Sequence, residues 1–388
     1  MNSDHLRGDT PAAVHEPLRI FILLPTLNPY GGVVSVVNLT NSLITKGHTV
    51  ALASLSQHTH QMVFPYSEPI FVTDRTDLLK IVGPPDFAVA TSWHTVGPIL
   101  FLADMTGAVP AYFVQDFEPD LEADARKRSL ALGTYDLIPN RIVKTSHLQR
   151  RLMEEGGWSS KRIAPGLDLD LFYPRQPLEE RPPDAVLAMA RPDAPTDHRG
   201  FAVLRQVLSE LHHLRPSVQL RVFGPAESSA FDAPVEAFGL LPQTELPILY
   251  SEATVFVDTS LIHGFGRAGV EAMACGTPCV LADSGGPSEY ARHMENALVV
   301  PSGDSSATVE AITTIMDNPS LANSLAREGL STVREFSDQV AADQFEQALR
   351  DFRGDESTAP SGDIPLGESL PAGMSELPGG PAADRGMR

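Results

Sequence analysis

Between Val255 and Asp304 the chain sets glycines and a carboxylate at spacings that suit a phosphate ligand. Val255-Phe256-Val257 is a short apolar run with strand character, and Gly264 and Gly266 then let the backbone come close to a bound group. Ala268 to Cys275 has the composition of a helix whose N-terminus faces that turn. The unpaired N–H groups and the dipole at such an end favour an anion. Glu271 lies one to two turns in, where a carboxylate can accept hydrogen bonds from a ribose diol. Ser284-Gly285-Gly286 follows the next strand as a second close-approach loop, and near the start Gly31 and Gly32 form a comparable turn.

These residues need elements to hold them. Leu18 to Leu24 is a continuous apolar run suited to a buried parallel strand, leading into Gly31-Gly32. Val33, Val36, Val37, Thr40, Leu43 and Ile44 share one helical face, Gly47 is placed to cap that helix, and His48 to Ser54 reads as the next strand. This is a β-α-β unit with its glycine turn at the carboxyl end of the first strand, where open α/β sheets bind ligands. The pattern predicts a strand over Asp86 to Ala90, a helix from about Gly97 to Met105, a strand over Ala111 to Val114, an apolar stretch near Leu137 and a helix over His147 to Glu155. A second series begins with a strand over Ala185 to Ala190, a helix over Gly200 to His213 and a strand over Val218 to Phe223. A short strand at Val235 to Phe238 and a helix near Thr244 to Ser251 lead into the glycine-rich region. Helices over Ser305 to Met316, Ser320 to Glu335 and Asp338 to Phe352 follow, with Ser337 as N-cap of the last.

With 388 residues, 42% hydrophobic and 20% charged, the chain is long enough for two α/β cores. A net charge of −20 argues against a nucleic-acid partner and against docking on an anionic membrane. Cys275 and Cys279 are expected to be small buried residues, with no disulfide framework or zinc cluster. No apolar run approaches the roughly 20 residues of a membrane span, and no targeting segment is visible, so the cytoplasm is the expected location.

The glycine-rich region also resembles a known signature. His263-Gly264-Phe265-Gly266, then Glu271-Ala272-Met273-Ala274-Cys275-Gly276-Thr277-Pro278, then Gly285-Gly286-Pro287-Ser288-Glu289 is similar to the C-terminal signature of the family-4 retaining glycosyltransferases. Lys161 to Pro174 resembles the phrase that closes that family's N-terminal domain. The resemblance implies an α/β fold of the GT-B type, two Rossmann-like β/α/β domains facing across a cleft. It implies an acceptor-side domain over 18–174, a nucleotide-sugar-binding domain over 185–336 and a helix over 337–353 crossing back to the first domain, while composition gives a disordered leader over 1–17, a Pro- and charge-rich linker over 175–184 and a disordered tail over 354–388.

The implied activity is retaining transfer of a sugar from a nucleotide diphosphate to a hydroxyl acceptor, a small molecule or a saccharide, with no cofactor and no metal. Breaking the anomeric C–O bond builds negative charge on the departing phosphate, so Arg191 and Arg199, which occupy the positions of the family's Arg and Lys, are candidates to stabilise it. Gly31, Gly32, Gly264, Phe265, Gly266, Arg267, Gly285 and Gly286 are expected around the donor, Glu271 on its ribose, and Glu289 as support for its loop. His263 stands where the family carries a glutamate, which predicts a changed contact to the donor sugar, as for a deoxysugar. Ala111 to Pro119, AYFVQDFEP, resembles an element of bacterial cell-surface glycan rhamnosyltransferases, although the chain then continues Asp120-Leu121-Glu122. Gln115 and Asp116 are expected to face the cleft, Asp116 as a catalytic group and Gln115 on the acceptor side with His94. No base–nucleophile pair stands out, which agrees with the front-face mechanism described for such enzymes. Asp168-Leu169-Asp170 mimics a metal motif but lies in the domain-closing phrase. A nucleotide-sugar sensor without turnover, or an epimerase or phosphorylase of the same fold, is the rival reading.

Overall fold

The computed structural model describes residues 16–28, 30–56, 66–80, 83–192 and 196–354; most of the expected leader and nearly all of the expected tail lie outside these. The first apolar run forms β1 (Arg19–Leu24), buried from Ile20 onward. It is followed by α1 (Gly31–Thr45) and β2 (Thr49–Ser54). The α1 C-terminus closes as read: Gly47 takes a φ of 92° and donates to Ile44 O, while His48 N returns to Leu43 O. Strands β3 (Ile70–Phe71) and β4 (Phe87–Ala90), helix α2 (Trp93–Thr106), β5 (Val109–Val114), α3 (Ala125–Leu137), β6 (Arg141–Val143), α4 (Ser146–Gly156) and β7 (Lys161–Arg162) complete the first lobe. Its seven strands are all parallel, in the order β3-β2-β1-β4-β5-β6-β7.

The second lobe runs through β8 (Ala185–Met189), α5 (Phe201–Leu214), β9 (Gln219–Phe223), β10 (Val235–Ala237), α6 (Leu246–Ser251), β11 (Val255–Asp258), α7 (Arg267–Ala274), β12 (Cys279–Ala282), β13 (Leu298–Val300), α8 (Ser305–Asp317) and α9 (Pro319–Thr332). Its six parallel strands lie in the order β10-β9-β8-β11-β12-β13. Helix α10 (Asp338–Gly354) then returns to the first lobe, where Ala342, Phe345, Ala348 and Leu349 join the core around β1 and β5. Phe345 meets Phe113 at 5.5 Å between ring centroids, and Lys46 ion-pairs with Glu346, whose Oε2 also lies 3.1 Å from His48 Nε2. Ser337 Oγ accepts from Val340 N at 3.2 Å, as its N-cap reading requires.

Two departures have local causes. Helix α2 starts at Trp93 rather than Gly97, because Ser92 and Thr95 form a reciprocal capping box. Helix α3 was not expected at all. Only Ala131 and Tyr135 of it are buried, so it carries no apolar stripe to read, and Asp124 starts it by accepting from Lys127 N.

In both sheets the strand order reverses beside the first strand, between β1 and β4 and between β8 and β11. Adjacent connections there leave toward opposite faces, and a crevice opens at the carboxyl ends. Those two crevices hold the glycine turns and the arginines.

Candidate active site

A cavity of about 410 Å³ lies between the carboxyl ends of the two sheets. Gly31 and Gly32, at the N-terminus of α1, form part of its first-lobe wall. Opposite them, the loop after β8 brings in Arg191, whose guanidinium stacks 3.7 Å from the ring of Tyr30. Arg199 comes from the same loop. Next to it, Gly200 has a φ of 63°, and a Cβ there would lie 1.9 Å from Thr259 O, so only glycine lets this loop rest on the end of β11. That contact carries Arg199 to His263, whose Nδ1 faces Arg199 Nη1.

Helix α7 is buried along its whole length. Glu271 accepts from Arg267 Nε at 2.7 Å and from Tyr250 Oη at 3.2 Å. Burial pushes its carboxyl above the usual range, against the pull of Arg267. Arg267 also donates from Nη1 to Gly166 O at 2.8 Å and to Ser35 Oγ at 3.4 Å, so one side chain of the second lobe reaches into the first. Cys275 and Cys279 are both fully buried and unpaired.

The first lobe contributes the carboxyl ends of β5 and β6. Gln115 is only 8% exposed, and neither its Oε1 nor its Nε2 has a partner, although both are buried beside Gly32. Such an amide is costly unless a ligand completes it. Asp116 Oδ1 accepts from Gly264 N at 2.6 Å across the cleft. Lys144, just after β6, is 5% exposed, and burial lowers its ammonium to about 8, with Asp116 opposing the shift and Arg267 and Arg199 adding to it. Burial and then Arg199 bring His198 down to about 4, so its imidazole is neutral at pH 7. Burial raises Glu118 to about 7, although Tyr112 Oη and Trp93 N donate to it.

Arg191, Arg199, His263, Asp116, Gln115, Gly31, Gly32, Phe265, Gly266, Arg267 and Glu271 therefore line one cavity. Gly264, Gly285, Gly286 and His94 do not. A Cβ on Gly264 would lie 2.3 Å from Gln115 O, one on Gly285 2.5 Å from His147, and one on Gly286 2.3 Å from Phe265 N. These glycines allow backbone to pack on neighbouring loops and on the opposite lobe. His94 lies on Trp93, with 3.8 Å between ring centroids, outside the cavity. The contact expected of His263 also differs: its Nε2 meets Asp258 Oδ2 at 3.0 Å while Nδ1 meets Arg199, leaving no ring nitrogen for a sugar hydroxyl. Glu289 accepts from Ser146 N at 2.8 Å and pairs with Arg162 at 2.5 Å, joining the two lobes.

Sequence reading missed Lys144, His198, Glu118 and Asp258. Glu118 stood inside the quoted AYFVQDFEP element, and Asp258 ended a strand that was identified. Lys144 follows a three-residue strand too short to leave a pattern. Asp168 Oδ1 accepts from Leu171 N at 2.9 Å within a turn, and among the described residues no three His, Cys, Asp or Glu side chains cluster as metal ligands would. No helix among them is long and apolar enough to cross a membrane.

Residues 196–331, which include Arg199, His263 and Glu271, match the family model described as glycosyl transferases group 1. That match spans most of the second lobe, which is thus similar to the group 1 glycosyltransferases. Similar curated proteins include the O-antigen biosynthesis protein RfbC of Myxococcus xanthus, 28% identical over 60% of this chain and 18% of that protein. Another is the phosphatidyl-myo-inositol mannosyltransferase of Mycobacterium leprae, 27% identical over 54% of this chain and 59% of that protein. The chain thus spans less than two thirds of these relatives. Among solved structures, Anabaena HepE in complex with UDP and glucose matches with a TM-score of 0.72 and 17% identity, over 86% of this chain and all of that one. Sucrose-phosphate synthase of Thermosynechococcus elongatus matches with a TM-score of 0.70 and 20% identity, over 86% of this chain and 99% of that one. The two lobes together make the GT-B fold, two Rossmann-like units facing across a cleft.

Proposed function

We propose that this protein transfers a sugar from a nucleoside diphosphate to a hydroxyl of an acceptor, with retention of anomeric configuration and without a metal ion. What carries the reading is the convergence of Gly31, Gly32, Arg191, Arg199 and Glu271 on one cavity between two switch-point crevices. As the anomeric C–O bond breaks, its electron pair passes to the departing diphosphate, and the two guanidiniums offset that charge. Backbone N–H groups at the start of α1 add donors without reorganisation. Glu271, already held by Arg267 and Tyr250, is oriented to accept from the ribose hydroxyls. In a front-face reaction the acceptor hydroxyl gives its proton to the leaving phosphate oxygen, so no separate protein base is needed.

Anabaena HepE was solved with UDP and glucose, which puts UDP-sugars first among donors. The AYFVQDFEP element puts dTDP-deoxyhexoses such as dTDP-rhamnose second. The deciding experiment is a panel of UDP-, dTDP- and GDP-sugars in EDTA. A true donor at a hundred times its dissociation constant adds roughly 2.7 kcal/mol of stability, and slow hydrolysis or transfer should give a product whose anomeric configuration is read by NMR. Arg191→Ala or Arg199→Ala should lower turnover by a factor of about 10² to 10³. A protein that none of these nucleotides stabilises would defeat the proposal.

A further inference from the structure

His263 replaces the carboxylate that its sequence context leads one to expect, and its surroundings explain what the imidazole does. Its backbone is fixed on both sides, His263 N donating to Ser284 O at 3.0 Å and Gly286 N to His263 O at 2.9 Å. The ring lies 6% exposed between two charged groups. On one side Asp258, at the end of β11, places Oδ2 3.0 Å from His263 Nε2 while its Oδ1 accepts from Ser260 N at 2.9 Å. On the other side Arg199 directs Nη1 at His263 Nδ1 and, at 3.3 Å, at Ile262 O.

These partners decide the tautomer. A guanidinium only donates, so Nδ1 carries the lone pair, and a carboxylate accepts, so Nε2 carries the proton. Asp258 is held well below the usual carboxylate range by His263 and Ser260, in spite of its burial, and stays an acceptor. Arg199 spends only Nη1 on this contact. Its Nε and Nη2, the two donors of one edge of the guanidinium, have no partner among the described residues, and the side chain lines the cavity. Such an edge is the fork that binds two oxygens of a phosphate at once. A glutamate in place of His263 would set its charge directly on the guanidinium; the imidazole grips the same nitrogen and keeps the carboxylate one ring further away.

We infer that His263 is a positioning residue, an Asp258–His263 pair that aims the free edge of Arg199 at the donor diphosphate, and that it does not read the donor sugar. This rests on the glycosyltransferase reading above and assigns a division of labour within that site.

The test uses ligands with and without the sugar. Dissociation constants for UDP, dTDP or GDP, whichever the wild-type protein binds tightest, and for the corresponding nucleoside diphosphate sugar are measured for wild type, His263→Ala, Arg199→Ala and the double variant. The inference requires His263→Ala to weaken the sugar-free nucleotide by roughly tenfold or more, and to add less than about twofold once Arg199 is gone. His263→Gln, whose amide can accept from Arg199 and donate to Asp258, should restore most of that affinity. Where His263→Ala fails to fold, Asp258→Ala/His263→Ala leaves no unpaired buried carboxylate and takes its place in the cycle. Unchanged binding of the sugar-free nucleotide with weaker binding of the sugar nucleotide would make His263 a sugar reader and overturn the inference. Additive losses from the two residues would overturn it as well. A wild-type protein that binds no nucleoside diphosphate defeats the functional reading itself, a result distinct from either.

Discussion

Lys144 gives the sharpest quantitative test of the site. Its ammonium is buried at the meeting of the two lobes, and burial lowers its pKa from 10.5 to about 8. The difference corresponds to roughly 3 kcal/mol that the folded state loses by keeping the side chain charged. The sign follows from proton counting. Between pH 8 and 10.5 the unfolded chain binds more protons at this lysine than the native one, so its contribution to stability rises with pH across that window. Below pH 8 the full cost is present. Lys144→Met keeps the length of the side chain and removes the charge, and Asp116 retains Gly264 N–H as a partner. The variant should therefore be more stable than wild type by roughly 3 kcal/mol at pH 7, a rise of about 4 °C in melting temperature for a chain of this length. The gap should close as pH climbs toward 10.5. Urea unfolding of both proteins at pH 7, 9 and 10.5 reads the gap directly. The same variant should lose nucleotide affinity, because a charge kept at that cost beside Arg199 and Arg267 is one the ligand needs. Parallel stability curves for the two proteins, or a variant less stable at pH 7, would refute the reasoning.

Other consequences are as concrete. Gly264→Ala sets a methyl group within 2.3 Å of Gln115 O and 2.5 Å of Asp116 Oδ1, so the lobes should stay apart while each remains folded; turnover should fall by about tenfold or more with little change in melting temperature, and solution scattering should show a larger radius of gyration. Glu118, raised to about 7 by burial, binds more protons in the native state than in the unfolded one between pH 4.5 and 7, so its contribution to stability falls as pH rises through that window. Glu118→Gln should remove that slope in urea titrations at pH 5 and 7. Glu271→Ala strips Arg267 Nε of its buried ion-pair partner, beside an Nη2 that already lacks one, and should cost roughly 3 to 5 kcal/mol of stability as well as nucleotide affinity; an unchanged melting curve would show that water replaces the carboxylate.

Much of this architecture was legible because its signals are local. Parallel strands covered on both faces read as unbroken apolar runs, so β1, β8 and β11 were found at nearly their observed bounds. Turns that end such strands favour glycine, and the signature from Gly264 to Glu289 named the second-lobe loops. The illegible elements lack such signals: β7 is two residues long, β6 three, and α3 buries only two side chains.

The site divides in the same way. By itself the sequence determined which residue types flank the crevices, two arginines, two glycine turns and a buried glutamate, because each belongs to a strand end, or to the turn or helix that follows it, with its own local pattern. Only the tertiary structure decided what those residues do to one another. It turned Gly264 and Gly285 toward the facing lobe, gave both nitrogens of His263 to Asp258 and Arg199, and set Lys144 among cations from the other lobe. Apart from the His263–Asp258 contact, five positions apart, those relations join groups from about 55 to 150 positions apart along the chain. Periodicity and motifs record a residue's neighbours on its own element, whereas charge, desolvation and steric limits act between elements that meet only when the lobes close.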